Sequence, residues 1–231
     1  MIGRIFSDAF EILVQNWKLI LLEYTAKTLL LAAIAVVIGT VIGALLAIAH
    51  MSKIKPLKWI VIAVVEFVRG TPALLQVYMI YFFVPMLIPQ LNRMDPILSA
   101  FLCASVALTL NSAAYVSEII RSGIEAVDKG QTEAARSLGL NGTTTMTKIV
   151  LPQAVKNILP ALGNEFITVV KETSLASTFF AGELMTFYKE YVGVTHNALP
   201  AFFVVGFIYF ALNFVLSKGL KFAERTMKSH A

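Results

Sequence analysis

Charge is what this sequence has least of. Asp, Glu, Lys and Arg make up 14% of its 231 residues, against roughly 25% in a soluble domain, and 58% of the residues are hydrophobic. An ordinary water-facing surface is thereby excluded. Cysteine occurs once, at Cys103, so no intrachain disulfide can form and no metal cluster is suggested; inside an apolar run it reads as a small packing residue. The dipeptide Gly-Lys is absent, which excludes a P-loop, whose lysine and backbone amides cradle nucleotide phosphates. No apolar stretch followed by a small-residue cleavage site opens the chain, so no removable signal peptide is expected.

Long uncharged stretches are what the chain has instead. A hydrocarbon core about 30 Å thick needs a helix of about 20 residues, and residues 28–49, 72–91, 96–117 and 198–217 each run without Asp, Glu, Lys or Arg. A chain this small has no soluble core that could hide such helices. Residues 158–182 form a fifth candidate span, apolar overall but carrying Glu165, Lys171 and Glu172. The expectation is an all-α polytopic membrane protein with five transmembrane helices, one domain over residues 1–231.

Loop charge gives an orientation, because cytoplasmic loops retain Lys and Arg. Lys53, Lys55 and Lys58 follow the first span; Arg121, Lys129, Arg136, Lys148 and Lys156 lie in the long connection 118–157; Lys218, Lys221, Arg225 and Lys228 follow the last span. The other side holds Arg93 with Asp95, and Lys189, Glu190 and His196. Five spans with the N-terminus outside and the C-terminus in the cytoplasm satisfy every loop. The net charge of +5 is a topology signal, and nucleic acid is not expected as a partner. Ahead of the first span, Ile5, Phe6, Ala9, Phe10, Leu13 and Trp17 recur at helical spacing between Arg4, Asp8, Glu11 and Lys18. Residues 1–23 therefore read as an amphipathic helix lying at the lipid interface.

Two interruptions stand out. The hydrophobic region 59–91 is broken by Arg69-Gly70-Thr71-Pro72, and proline removes a backbone donor and disfavours helix at the preceding residue, so a break or sharp bend is expected there. Such a break at membrane depth is tolerated only where protein or a wet cavity satisfies the backbone. In the polar loop, Glu133, Ala134 and Ala135 favour helix, Gly139 and Gly142 can stop one, and Thr143 to Thr145 can cap the next. Two short helices joined by a tight turn are expected. Gly39 and Gly43 in the first span have the spacing that lets helices pack closely.

Glu133-Ala134-Ala135, then Gly139, then Ile149-Val150-Leu151-Pro152 resembles the EAA loop of type I ABC importer permeases. Asn111-Ser112-Ala113-Ala114-Tyr115, Lys129-Gly130-Gln131, Leu151-Pro152-Gln153-Ala154, Arg69-Gly70-Thr71-Pro72 and Lys171-Glu172-Thr173-Ser174-Leu175 are similar to the histidine, glutamine and arginine group of that family, over roughly residues 25–217. The resemblance implies that Glu133, Ala134, Ala135, Gly139, Ile149, Leu151 and Pro152 belong to a cytoplasmic coupling-helix loop, whose short helix sits in a groove of a separate ATPase. It further implies two ATPase copies holding ATP and Mg, with no cofactor on this chain. A second permease copy or paralogue and an extracytoplasmic substrate-binding protein complete the implied complex, in a bacterial cytoplasmic membrane. The chain is then not an enzyme by itself.

Ionisable groups within a membrane are functional candidates because burying them is costly. The carboxylate of Glu165 can receive an ammonium or cationic side chain, or pair with a neighbouring span or Arg69. Glu172 lies seven residues on, on the same helical face, with Thr168 between them; for Glu172 and Lys171 structural pairing is favoured. Arg69 can grip a carboxylate with its planar fork, or pair with Glu66 one turn earlier. Gln76, Asn111 and Asn164 can line a wet pathway or bond between helices. The expected substrate is a polar amino acid, with glutamine first, arginine or histidine next, and cystine or glutamate behind. A small ion-coupled secondary carrier is the alternative, although five spans do not divide into two equal repeats.

Overall fold

The computed structural model describes residues 2–229. The ends of the expected 1–231 domain, and the side chain of Lys228, lie outside what is described. Among the described residues every regular element is helical. In chain order these are α1 (Ile2–Lys18), α2 (Thr25–His50), α3 (Lys55–Gly70), α4 (Ala73–Leu87), α5 (Pro96–Glu125), α6 (Lys129–Ser137), α7 (Gly142–Thr145), α8 (Leu151–Glu172), α9 (Leu184–Thr195) and α10 (Ala198–Ser229).

Three helices are long and apolar enough to cross a membrane, at residues 3–50, 96–125 and 198–226. A fourth span follows if the pair α3 and α4, bent by 108°, is counted as one. The break expected at Thr71-Pro72 is thus present and sharper than an ordinary kink. α8 is long enough at 22 residues but, with Lys156, Glu165, Lys171 and Glu172, is not among the helices apolar enough to cross.

At the N-terminus the amphipathic helix forms, but it does not stop before the first span. A π-turn over Leu19–Tyr24 carries it directly into α2. Its small and aliphatic side chains are turned inward: Ala9, Ile12 and Ile20 are buried in one cluster with Leu184, Phe187, Val204 and Ile208, while Phe10 and Trp17 remain exposed.

α5 is the central helix. Its small residues Ala100 and Ala104 pack with Leu108 against Leu31, Ala32 and Ala35 of α2 and Val169 and Val170 of α8. The approach is close because α2 presents glycines. A Cβ on Gly43 would lie 2.8 Å from the Ala113 carbonyl oxygen and 2.9 Å from Val116 Cβ, and one on Gly39 would lie 3.1 Å from Ser112 Cβ. Cys103 is buried in the same helix, as a packing residue should be.

Three expected boundaries are corrected. Residues 118–125 are not loop but the last two turns of α5, held in helix by Arg121, which bonds Glu118 three residues before it and Glu125 four after, a spacing that places side chains together on a helix surface. The candidate span 158–182 does not run that far: α8 ends at Glu172, a 3-10 helix follows over Thr173–Phe179, and Gly182 turns at φ +76°. Phe179 anchors this segment to α4, stacked on Tyr81 at 3.7 Å with Tyr78 edge-on at 4.9 Å. The stretch read as a loop near residues 183–197 is mostly helix α9.

Gly43→Val forces a side chain into the α2–α5 contact, and overpacking of this kind costs about 1–3 kcal/mol. The expected outcome is a lower melting temperature of the detergent-solubilised protein. Gly193→Ala, within α9 where a Cβ meets nothing within 4 Å, should not lower it, since alanine is the better helix former. Equal behaviour of the two variants would refute the close approach.

Candidate functional site

The break between α3 and α4 is where the polar side chains of the bundle gather. Thr71 and Pro72 are extended, so the last carbonyls of α3 lose their helical donors. Gln76, on the first turn and a half of α4, reaches back to supply one: its Nε2 donates to the Val68 oxygen at 2.7 Å, the Thr71 oxygen at 3.1 Å and Thr71 Oγ1 at 2.9 Å. Thr71 Oγ1 in turn donates to the Phe67 oxygen at 3.0 Å. From α5, Asn111 Nδ2 donates to Gln76 Oε1 at 2.9 Å. Both ends of the Gln76 amide are therefore engaged in closing the break.

Arg69 does not pair with Glu66. Its guanidinium turns toward α5, with Nη1 3.7 Å from Glu118 Oε2 and Cζ 5.5 Å from the Tyr115 ring centre. Glu66 is exposed and forms no ion pair among the described residues. Nor does Arg69 reach Glu165, so the expected α3–α8 charge pair is not formed.

Glu165 is buried, 9% exposed, with Ser112 of α5 near its carboxylate but without a hydrogen bond from the buried Ser112 hydroxyl. Ser112 adjoins Asn111, so the α8 carboxylate and the Gln76 break sit against consecutive residues of one helix. Glu172 follows seven residues on along the same face of α8, with Lys171 as its cationic neighbour. Thr168 between them is half-buried, Asn164 is exposed, and Lys171 points out on another side of α8. Neither Glu165 nor Glu172 forms an ion pair among the described residues.

At the other candidate site, α6 and α7 form the two short helices with a tight turn that the sequence implies. Asp128 caps α6 by accepting from the Gly130 amide at 2.6 Å. α6 ends in a Schellman turn: the Gly139 amide donates to the Arg136 oxygen at 3.0 Å and the Leu140 amide to the Ala135 oxygen at 3.1 Å. This requires a left-handed residue, and Gly139 has φ +86°. A Cβ there would meet nothing within 4 Å; glycine is needed for its backbone angle, not for lack of room. The cap of α7 is Asn141, which accepts from the Thr144 amide at 2.8 Å, rather than a residue of Thr143 to Thr145.

Of the motif residues, Glu133, Ala134, Leu151 and Pro152 are exposed and Ile149 is half-buried. Ala135 is 5% exposed, so its small size serves packing within the chain. The tip of the turn is Leu138, 84% exposed, an apolar side chain standing in the open between two polar helices. Sequence reading passed over it because a single leucine among charged residues carries no periodic signal.

A second residue missed by sequence is Glu183. It is fully buried and caps α9, accepting from the Met185 amide at 2.7 Å, the Thr186 amide at 2.9 Å and the Thr186 hydroxyl at 3.0 Å. Tyr209 of α10 donates to it at 3.1 Å, and the Leu184 amide donates to Thr28 Oγ1 of α2 at 3.0 Å. One carboxylate thus joins α9 to α10, beside a direct tie to α2.

Comparison with known proteins fits this architecture. Residues 20–229 match the family described as "Binding-protein-dependent transport system inner membrane component". The arginine transport system permease protein ArtQ of Bacillus subtilis strain 168 is 40% identical over 211 residues, 91% of this chain and 93% of that one. The putative glutamine transport system permease protein GlnP of Rickettsia felis is 39% identical over 94% of this chain and 98% of its own length. The nopaline transport system permease protein NocM of Agrobacterium fabrum is 36% identical over 91% and 88%. Among solved structures, an amino acid ABC transporter crystallised with histidines superimposes with a TM-score of 0.84 at 40% identity, covering 93% of this chain and 96% of the other. The methionine transporter MetNI, at 21% identity and a TM-score of 0.69, shares the fold. This chain belongs to the family of binding-protein-dependent ABC importer permeases, as a membrane-embedded subunit and not an enzyme in itself.

Proposed function

We propose that this permease carries a polar amino acid with a cationic side chain, arginine foremost, along a path bordered by α8 and the α3–α4 break. The observation that carries the reading is the pair Glu165 and Glu172. Two acidic side chains on one face of α8 have a single cationic neighbour, Lys171 beside Glu172, and no salt bridge among the described residues, and charge left unneutralised inside an apolar bundle is costly unless something supplies the opposite sign. A guanidinium or ammonium does so. The likeness to ArtQ supports it; the similar likeness to GlnP keeps glutamine as the second reading. Asn164 and Thr168 flank Glu165 on the same helix and are assigned to the path, with Gln76 and Arg69 at its edge, where they hold the break.

The turn between α6 and α7 is assigned to the ATPase. In this reading Glu133, Ala134, Gly139, Ile149, Leu151 and Pro152 form the docking surface on the cytoplasmic side, and Leu138 inserts into the partner's groove. Burial of one leucine contributes about 1.5–3 kcal/mol. Two ATPase copies, a second permease subunit and an extracytoplasmic binding protein complete the complex. Five spans with the N-terminus outside remain the arrangement that places Lys53, Lys55, Lys58, Lys129, Arg136 and Lys148 together in the cytoplasm.

The central test is uptake into proteoliposomes holding the complete complex, with binding protein outside and ATP within. Arginine accumulation that stops without ATP is the expected result, and accumulation of glutamine but not arginine would transfer the assignment to the second reading. Glu165→Gln keeps the shape and removes the charge; loss of a charge-assisted bond worth about 1.5–3 kcal/mol should lower arginine uptake by roughly tenfold or more while basal ATP hydrolysis persists. Uptake at the parental rate would remove Glu165 from the path. For the turn, Leu138→Asp should weaken co-purification of the ATPase without altering membrane insertion. Unchanged co-purification would show that the partner docks elsewhere.

A further inference from the structure

Three side chains of α5 grip the α3–α4 break, and they fall on one stripe. Asn111 holds Gln76 at 2.9 Å, Tyr115 lies under the Arg69 guanidinium at 5.5 Å, and Glu118 faces Arg69 at 3.7 Å. Their spacing of four and then three residues puts them on the same helical face. The last of the three is shared. Glu118 also accepts from Arg121, Nε to Oε2 at 3.0 Å and Nη2 to Oε1 at 2.5 Å, and Arg121 Nη1 donates to Glu125 at 2.5 Å. Glu125 is the final residue of α5, with Asp128 capping α6 three residues on. A continuous run of charges, Arg69, Glu118, Arg121 and Glu125, therefore leads from the break in the bundle to the threshold of the turn that displays Leu138.

α5 is braced at this end by α8. A Cβ on Gly123 would lie 2.4 Å from Ile158 Cγ1, and Asn157 Nδ2 lies 3.5 Å from the Gly123 oxygen. A displacement of α6 is thus delivered to a helix end that is packed against α8 and ionically tied to the break, rather than absorbed in a slack linker. Within the run, the bonds of Arg121 are short and local, while Arg69 to Glu118 is long, links different helices, and is the contact that can open without unwinding either one.

We propose that Glu118 is a positioning residue for transport: through Arg69 it ties the α3–α4 break to the α5–α6 end, so that movement of the docked turn is passed to the path. This inference rests on the assignment of the turn to the ATPase. A half-exposed ion pair contributes little to stability, so a variant lacking it should still fold and assemble; the loss should appear in coupling instead.

The test is the amount of ATP hydrolysed per arginine imported by the complete complex in proteoliposomes, for the parental chain, Glu118→Gln, Arg69→Gln and the double variant. Each single variant should retain ATP hydrolysis and ATPase co-purification but raise the ATP consumed per arginine by about tenfold, within the usual range for coupling between sites. The double variant should be no worse than either single one, because both remove the same contact. Glu118→Asp, which keeps the charge, should recover much of the coupling. Parental stoichiometry in Glu118→Gln, or defects that multiply in the double variant, overturns the proposal while leaving the function of the turn intact. Should Glu118→Gln fail to assemble, Arg69→Gln carries the same expectation alone. A parental complex that shows no ATP-driven uptake overturns the underlying assignment instead, and this inference with it.

Discussion

The contact between α2 and α5 sets where everything else can be. Gly39 and Gly43 let the two backbones approach to a distance at which an added methyl group meets a carbonyl oxygen, and in lipid such closeness is the main source of association, since apolar side chains gain nothing by leaving hydrocarbon for one another. With α5 seated on α2, its remaining faces are available to the break on one side and α8 on another. Asn111 and Ser112, adjacent in sequence, look in these two directions. A polar cluster at the heart of an apolar chain is thereby reduced to a question of which way one helix is turned.

The second constraint is that a backbone interrupted among apolar helices has to satisfy itself. Pro72 frees carbonyls, and a single amide side chain four residues later returns to them. Because Gln76 spends its donors on the break, its acceptor is left for α5, and the interruption becomes a fixed corner instead of a flexible joint. The same economy recurs at Glu183, where burial of a carboxylate is tolerated because backbone amides, a threonine and Tyr209 surround it. In both places a polar residue that looks unfavourable in the sequence is an architectural joint.

Much of this was legible in advance. The apolar runs, the corner at Pro72, the turn at Gly139 and the small-residue face of α2 all follow from local chemistry, which acts within a few residues and leaves a pattern in the chain. What was not legible depended on contacts between distant segments. Arg69 has Glu66 one turn away, yet it faces Glu118 of α5 as a 3.7 Å ion pair, because the corner turns its side chain toward α5. Residues 118–125 look like loop by polarity, yet α5 continues through them, with ion pairs at helical spacing. Ala135 belongs to the Glu133-Ala134-Ala135 motif and nonetheless faces its own chain. The reach of α8 was overestimated because hydropathy continues past Glu172 while the backbone tightens and turns.

Leu138 has a consequence for how such a subunit must be made. A leucine 84% exposed at the apex of a polar turn gains by being covered, since burying such a side chain contributes about 1.5–3 kcal/mol. On the docking proposed above, a copy made in excess of its ATPase leaves that tip bare. The proposed docking thereby ties the supply of the two subunits together through surface chemistry.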